Sequence, residues 1–434
     1  MNIHSRSRIP RFIVLIVTCL TVVCAFAQSP PQYEDPQRNV ERVFELIEQR
    51  LALMPEVAAS KWHAGQNIVD AVREQTVLDQ SVRDAQAIGL AAPAARQFFD
   101  VQIRMARAIQ EQRFKEWRAS TPPPRGRDLA TELRPALDRL GPQLLTGLYL
   151  ASGKFGQTAP MQVALERLRG NAGITSELVN ELRDSLLAMR IDAVASFDIV
   201  KRVGVLRVGT TGDYAPFSSD RDGTLRGFDI QLALALARHW NVDVQFVRTS
   251  WPTLMSDLAN HRFDIAASGI SVTPDRDAVA DFSVAYHVDG KMPIARCAER
   301  AKYQTLAGID REGVRVIVNP GGTNEAFVRE RIKRARVLRH ADNRTIFEEI
   351  VAGRADAMFT DAIEVELQSL RHPELCAVMS NTLTRAPKAL LIPQGSTLRT
   401  STDEWLAARV KTGELKSLLQ SAVIQEAALP ARDK

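Results

Sequence analysis

Four cysteines and seven histidines in 434 residues leave little to build a metal site with. Cys19 and Cys24 fall near the start of the chain, and Cys297 and Cys376 have no other soft ligands nearby in sequence. The histidines show no His-Glu-x-x-His spacing, so no metal is expected. The glycines at 209 and 212 do not make a phosphate loop, and no other pattern calls for a cofactor. The uncharged run 12–27 is short for a membrane span. There is no internal repeat, and no Gly/Ser-rich linker divides the chain.

What is present is ordinary globular composition, 45% hydrophobic and 25% charged, at a length that suggests two or three domains. Arg6, Arg8 and Arg11 precede the uncharged run, which ends Ala25-Phe26-Ala27. A basic start, an apolar core and a small-x-small end predict a secretory signal over 1–27 and a periplasmic protein with no span once it is removed. Loss of those three arginines lowers the formal net charge of +5 to +2, which excludes a nucleic-acid argument. Arg329-Glu330-Arg331-Ile332-Lys333-Arg334 is then a solvated helix face. Cys297 and Cys376 remain as an even pair in an oxidising compartment and are expected to form one disulfide, with two buried thiols as the alternative.

Residues 28–36, rich in Pro and Gln, read as a flexible lead. Beyond them the pattern is helical to about 196. Val40, Val43, Phe44, Ile47 and Leu51 repeat at helical spacing. Pro55 should kink this first helix without ending it. Further helices are expected over 68–88, 93–117, 128–150 and 161–194, with a break at Thr121-Pro122-Pro123-Pro124. From about 197 the texture changes. Strands at 205–209, 242–247 and 263–267 alternate with helices at 228–240 and 251–259. A second set covers 314–318, 324–334, 345–351 and 357–359. The fold class is therefore multidomain: an all-α helical bundle over 28–196, then an α/β two-lobed domain over 197–434. Its lobes are placed at about 203–293 with 388–425, and 294–387. Ligands are expected in the cleft between them.

In the helical part, Arg50 and Lys61 are eleven residues apart, nearly one helix face. Asp70, Arg73 and Glu74 share the next face, Ala106 and Gln110 are one turn apart on the third helix, and Arg134 opens the fourth. These are converging cations with one neutral amide, although any single Arg is more often a solvated one. Leu46-Ile47-Glu48-Gln49-Arg50-Leu51, Val57-Ala58-Ala59-Ser60-Lys61-Trp62, Asp70-Ala71-Val72-Arg73-Glu74 and Phe98-Phe99-Asp100-Val101-Gln102-Ile103 resemble the secreted γ-class chorismate mutases over about 38–195. The resemblance implies rearrangement of chorismate to prephenate, which needs a compactly held dianion and positive charge at the breaking ether oxygen. On it, Arg50, Arg73 and Arg134 hold carboxylates, Lys61 and Gln110 face the ether oxygen, Glu74 faces the ring hydroxyl, and Asp70 joins the substrate-binding set. Ala106 departs from the usual Ser or Thr, a lost contact worth about 1 kcal/mol. The disulfide of some relatives has no cysteines here.

Gly209-Thr210-Thr211-Gly212-Asp213-Tyr214-Ala215-Pro216-Phe217, Gly227-Phe228-Asp229-Ile230, Phe263-Asp264-Ile265 and Thr273-Pro274-Asp275-Arg276 resemble periplasmic solute-binding proteins for polar amino acids. That implies Arg276, Ser271 and the Gly269 N–H as a carboxylate clamp, Thr323 as a donor from the other lobe, and Asp361 as partner of an amino group. Thr211 stands where such binders often have a second acid, which argues against pure amino-acid binding. Asp289-Gly290-Lys291, Asn319-Pro320-Gly321-Gly322-Thr323-Asn324-Glu325, Thr360-Asp361-Ala362-Ile363-Glu364 and Arg371-His372-Pro373-Glu374-Leu375-Cys376 look like cyclohexadienyl dehydratases. Those enzymes convert prephenate to phenylpyruvate, and often arogenate to phenylalanine. Hydroxide is a poor leaving group, so a general acid is required, and a carboxylic acid serves at neutral pH only when burial raises its pKa. Glu364 is the candidate, with Asn319 orienting it or the hydroxyl. Tyr214 and Trp251 line the cleft or belong to the core.

The sequence thus predicts an exported two-step enzyme acting on chorismate and prephenate, with no cofactor. Homo-oligomerisation is left open. One rival is a transport receptor for an amino acid or carboxylate; its discriminator is Glu364, which a receptor does not need. Another is a helical regulator that senses chorismate-like ligands; cations converging on Gln110 argue against it.

Overall fold

The computed structural model describes residues 30–430; the expected signal segment lies outside them. The first half is a helical bundle. Its helices are α1 (Pro36–Ala52), α2 (Met54–His63), α3 (Ala71–Ala87), α4 (Ala92–Ala119), α5 (Arg134–Ala151), α6 (Pro160–Arg169), α7 (Ser176–Leu187) and α8 (Phe197–Val203). One apolar core runs through it, from Val40 and Phe44 of α1 through Phe98 of α4 to Leu182 of α7. Each fully buried Leu, Ile or Phe there contributes about 1.5–3 kcal/mol.

Several boundaries differ from the sequence expectation, each for a local reason. Pro55 opens a separate helix: it has no N–H to continue the ladder, and the Leu53 N–H bonds Leu51 O in a one-residue turn. α3 starts at Ala71 because Asp70 is its cap, accepting from the Arg73 N–H at 3.0 Å. The expected helix over 161–194 is two helices. Gly173, at φ +89°, runs so close to α4 that a Cβ there would lie 2.5 Å from Ala108 O, and Thr175 caps the next helix. The 28–36 segment is no flexible lead once past Pro31. Tyr33 pairs with Phe246 as a parallel bridge, and Pro36 already belongs to α1.

No linker separates bundle from lobes. Ser196 caps α8, and Gly204, at φ +76°, turns its end into strand Val205–Thr210. Ile199 and Val203 of α8 pack in the bundle core, whereas Val200 packs in the core of the lobe that follows. A buried polar cluster joins the same halves. The Arg207 guanidinium lies 4.4 Å from the Tyr149 ring centre and pairs with Asp264 at 2.6 Å, and the Tyr149 hydroxyl donates to Asp264 at 3.0 Å.

The second half holds two five-stranded sheets. The first runs in the order Asp243–Arg248, Val205–Thr210, Ile265–Ala266, Leu391–Pro393, Ala280–Phe282, and its first three strands are parallel. The second runs Arg336–Arg339, Arg315–Val318, Ala357–Asp361, Lys291–Arg296, Leu375–Ala377. Between them, His287–Asp289 pairs antiparallel with Ala386–Lys388, where the chain crosses out and back. The strands differ from the predicted bounds by one or two residues at most ends, running on to Thr210, Arg248 and Asp361 and shrinking to Ile265–Ala266, because ladder pairing and not apolar pattern sets where a strand stops. Cys297 and Cys376 form a disulfide with Cα atoms 5.3 Å apart, tying the ends of two neighbouring strands of the second sheet.

Candidate functional sites

The helical bundle encloses a cavity of about 1310 Å³. Arg50, Lys61, Asp70, Arg73, Glu74, Ala106, Gln110 and Arg134 all line it, so α1 to α5 bring the predicted residues to one place. Two arginines without a sequence assignment join them: Arg107 on α4 and Arg202 on α8. Six basic and four acidic side chains line the wall, an excess that suits a dianion. Phe99 and Ile103 supply an apolar side.

Within this cavity the polar groups are arranged unevenly. Lys61 donates to the Ile68 carbonyl at 2.7 Å. Burial lowers its pKa, opposed by Glu74 and Asp70. Burial likewise lowers Arg50, against Asp138. Glu74, expected to face the ring hydroxyl, is ion-paired to Arg107, a partner the sequence did not indicate. Asp70 and Arg73 are exposed at the rim, with Asp70 engaged as the α3 cap. Gln110 is buried; its Nε2 turns back to Ala106 O at 3.0 Å, and its Oε1 has no hydrogen-bond partner. A buried amide with an unmatched oxygen costs about 1–3 kcal/mol, so it stands ready for a ligand donor.

The second site lies between the two sheets. Tyr214, Trp251, Gly269, Ser271, Arg276, Asn319, Thr323 and Asp361 meet around a cavity of about 20 Å³, together with Asn324, Asn343 and Lys388. Its walls are close. A Cβ on Gly321, at φ +81°, would come within 2.6 Å of Pro252 on the facing lobe. Trp251 donates from Nε1 to Asp213 at 3.1 Å, and Asn343 donates to Asp213 O at 3.0 Å.

Asp361 is the centre of charge here. Lys291 donates to its Oδ1 at 2.8 Å, and Lys388 and the Tyr214 hydroxyl both donate to its Oδ2. Burial would raise this carboxyl, yet the two lysines hold it well below the usual carboxylate range. Asp361 lines the cavity with three donors of the protein already on its two oxygens, a competition that the expectation of an amino-group partner did not include. Arg276 donates to Ser271 O at 3.0 Å, and Ser271 Oγ accepts from Lys388 at 2.9 Å. The Gly269 N–H is also taken, donating to Asp229 at 2.6 Å, so it does not serve in the clamp. Thr323 Oγ1 accepts from Lys291 at 2.9 Å, leaving its O–H to donate.

Glu364 does not line this cavity. It sits one layer behind, 2% exposed, where the Thr360 hydroxyl bonds its Oε2. Asn324 Nδ2 reaches Thr360 Oγ1 at 3.3 Å and Asn319 Oδ1 at 3.1 Å, so Glu364 connects to Asn319 through two side chains and not directly. Helix Ala362–Arg371 carries Glu364, and Asp289 accepts from the N–H groups of Ala362 and Ile363 at its start. Burial pushes the Glu364 carboxyl up to about 8, with Asp361 adding to the rise and Thr360 opposing it. At neutral pH this acid keeps its proton.

Sequence reasoning gave no role to Lys291, Lys388 or Asn324. Lys291 and Asn324 stood inside motifs already noted. Lys388 carried no signal, because a lone Lys in a short strand has no periodicity to betray it.

Comparison with known proteins separates the two halves in the same way. The family model for bacterial extracellular solute-binding proteins, family 3, matches residues 206–423. The model for chorismate mutase type II matches residues 41–111. A cyclohexadienyl dehydratase of Pseudomonas aeruginosa is 49% identical over 225 residues, 51% of this chain and 84% of that protein. The L-cystine-binding protein TcyJ of Escherichia coli is 26% identical over 50% of this chain and 82% of its own. Among solved structures, the amino acid ABC transporter substrate-binding protein AbpA of Streptococcus pneumoniae, bound to L-arginine, shares the fold. Its TM-score is 0.50 at 23% identity, over 53% of this chain and 99% of that one.

Proposed function

We propose that this chain, which belongs to the bacterial extracellular solute-binding proteins of family 3, makes an intermediate in its helical half and consumes it in its two-lobed half. The helical half is a chorismate mutase and the second half a prephenate dehydratase. Residues 28–196 are assigned to the first activity and 197–434 to the second. The observation that carries the reading is the pairing of surplus positive charge with a buried, protonated acid in the inter-lobe site. Lys291, Lys388 and Arg276 face a single ionised carboxylate, Asp361, so the site suits a dianion.

Chorismate rearranges within one molecule. Arg50, Arg73 and Arg134 hold its two carboxylates, which fixes the compact conformer and replaces a search among rotamers. As the ether C–O bond breaks, its oxygen gains negative charge; Lys61 meets it with an ammonium hydrogen, and Gln110 can do so only through the Nε2 hydrogen not given to Ala106 O, its Oε1 being an acceptor. Glu74, paired with Arg107, meets the ring hydroxyl. No proton moves and no nucleophile is needed.

Prephenate then loses CO₂ and its ring hydroxyl. The bond from the ring to its carboxylate breaks, the electron pair enters the ring, and the C–O bond breaks as the oxygen takes a proton and leaves as water. Glu364 is assigned as the source of that proton; Thr360 and Asn324 stand between it and the cavity in this closed arrangement, and an amide cannot pass a proton on, so the transfer requires these two side chains to move aside. Arg276 and Ser271 clamp the side-chain carboxylate. The preference between prephenate and arogenate turns on Asp361. Its engagement by two lysines favours prephenate, which lacks an amino group, and argues against a receptor for amino acids.

The protein is assigned to the periplasm, with 1–27 as its export signal. The Cys297–Cys376 bond and the solute-binding relatives support this placement. The test of function is to mix chorismate with purified protein and follow its disappearance together with phenylpyruvate formation. Absence of either change at any pH from 6 to 8 overturns the corresponding half, by reference to groups that titrate in that range.

A further inference from the structure

The segment ahead of α1 belongs to the helical half by sequence, yet it is bound to the two-lobed half. Leu225 N–H donates to Pro31 O at 2.7 Å and Glu34 N–H to Phe246 O at 2.7 Å. Residues 31–34 therefore run from the Thr224–Arg226 strand to the strand Asp243–Arg248, the outer edge of the first sheet, which they meet at Phe246. Tyr33 is the side chain at the centre. Its hydroxyl donates to Thr210 O at 3.3 Å, and the Arg248 guanidinium sits 3.8 Å from its ring centre. Arg248 pairs with Asp220 at 2.7 Å, and Asp220 N–H bonds Gly212 O at 2.8 Å.

Gly212 shows why this matters. At φ +66° a Cβ there would lie 2.3 Å from the Tyr33 hydroxyl oxygen, so the phenol rests directly on the loop backbone. The same loop presents its other side to the inter-lobe site. Thr211 Oγ1 bonds Ser268 at 2.8 Å, Asp213 accepts from Trp251, and Tyr214 donates to Asp361. A ring pressed on the back of residues 210–214 sets where Tyr214 and Asp213 stand.

We infer that Tyr33 is a positioning residue of the dehydration site, reaching it from the segment that leads into the mutase helix α1. The inference rests on reading the inter-lobe site as a dehydratase. Tyr33→Ala removes the ring and leaves the loop without its support. Tyr33→Phe keeps the ring under Arg248 and against Gly212. Arg276 and Ser271, which clamp the substrate carboxylate, are not on this loop, so kcat is affected more than KM.

The experiment compares full-length parent, Tyr33→Ala, Tyr33→Leu and Tyr33→Phe, each assayed separately with chorismate and with prephenate. Tyr33→Ala is expected to lower kcat for prephenate by about 10- to 100-fold, the scale of a small misplacement in a site. Mutase turnover stays at the parent value, and Tyr33→Phe restores most of the loss. If Tyr33→Ala does not fold, Tyr33→Leu, which retains bulk but not the flat ring, is read in the same way. Parent-like dehydration in Tyr33→Ala or Tyr33→Leu overturns the inference, and so does a parallel fall of both activities. A parent protein that leaves prephenate untouched overturns instead the dehydratase reading.

Discussion

Asp361 and Lys291 stand opposite each other in neighbouring antiparallel strands, and their side chains close a 2.8 Å ion pair beneath the inter-lobe cavity. Strand register makes this contact, and Lys388 completes it from the crossing strand. A ligand amino group would have to compete with both lysines for this carboxylate. What faces the cavity is net positive, and the acid behind it, Glu364, is uncharged.

That arrangement makes Glu364→Gln the sharpest substitution. The amide keeps the size and the bond to Thr360 but cannot release a proton. Dehydration of prephenate should fall by about 10²–10⁴-fold while prephenate still binds. Calorimetric titration beside a turnover assay checks both. Turnover at the parent rate would remove Glu364 from the acid role.

The pH profile should carry the same signature. Glu364, pushed up to about 8, holds its proton below that value and loses it above. The dehydratase kcat should therefore be sustained at neutral pH and decline as pH rises through about 8. Mutase turnover is no control here, since it needs Lys61 charged and burial lowers that lysine; the control is Glu364→Gln, whose residual dehydration should lose this pH dependence. A dehydratase profile flat across pH 7 to 9, around that value, would contradict the assignment.

Arg276→Ala should act on binding. The guanidinium is the fork on the substrate carboxylate, and a charge-assisted bidentate contact is about twice as strong as a neutral one. The expected result is loss of measurable prephenate binding with chorismate rearrangement unchanged. Unaltered KM for prephenate would show that the lysines alone hold the dianion.

In the bundle, Lys61→Ala should cut chorismate turnover by roughly 10²-fold or more, as for loss of a group that meets developing charge. Dehydration of added prephenate should persist. Equal loss of both activities would indicate damage to the fold and not to a site.

The disulfide gives a prediction about stability. Cys297 and Cys376 close a loop with a sequence separation of 79, and the cross-link stabilises by about 2–4 kcal/mol through the unfolded chain. Reduction should lower the midpoint of denaturant unfolding accordingly. Thiols that react before reductant is added would argue against the bond and against export.

Much of this molecule could be read from its residues, and the parts that could not have a common cause. The helices and most strands followed from apolar period and capping residues, whereas Lys61, Gln110, Asn319 and Asp361 were marked out by the family resemblance of the segments that carry them, and each lines its cavity. Lys388 and Arg107 escaped because each becomes functional through what lies across from it. Lys388 needs the crossing strand to reach Asp361; Arg107 needs α3 alongside to meet Glu74. Gly269 and Glu74 were visible, but their engagement by Asp229 and Arg107 was not. Tyr33 hid in a Pro- and Gln-rich stretch whose composition suggests disorder, although its backbone extends a sheet.

The inter-lobe cavity, at about 20 Å³, is far below the roughly 300 Å³ or more that ligand sites occupy. Prephenate can enter only when the lobes swing apart about strands His287–Asp289 and Ala386–Lys388. The apparent dissociation constant is then the intrinsic one divided by the fraction of molecules with lobes apart. Gly321 lets its loop lie against Pro252 of the facing lobe, where a Cβ would come within 2.6 Å, so any side chain at 321 would hold the lobes apart and raise the fraction of molecules open to substrate.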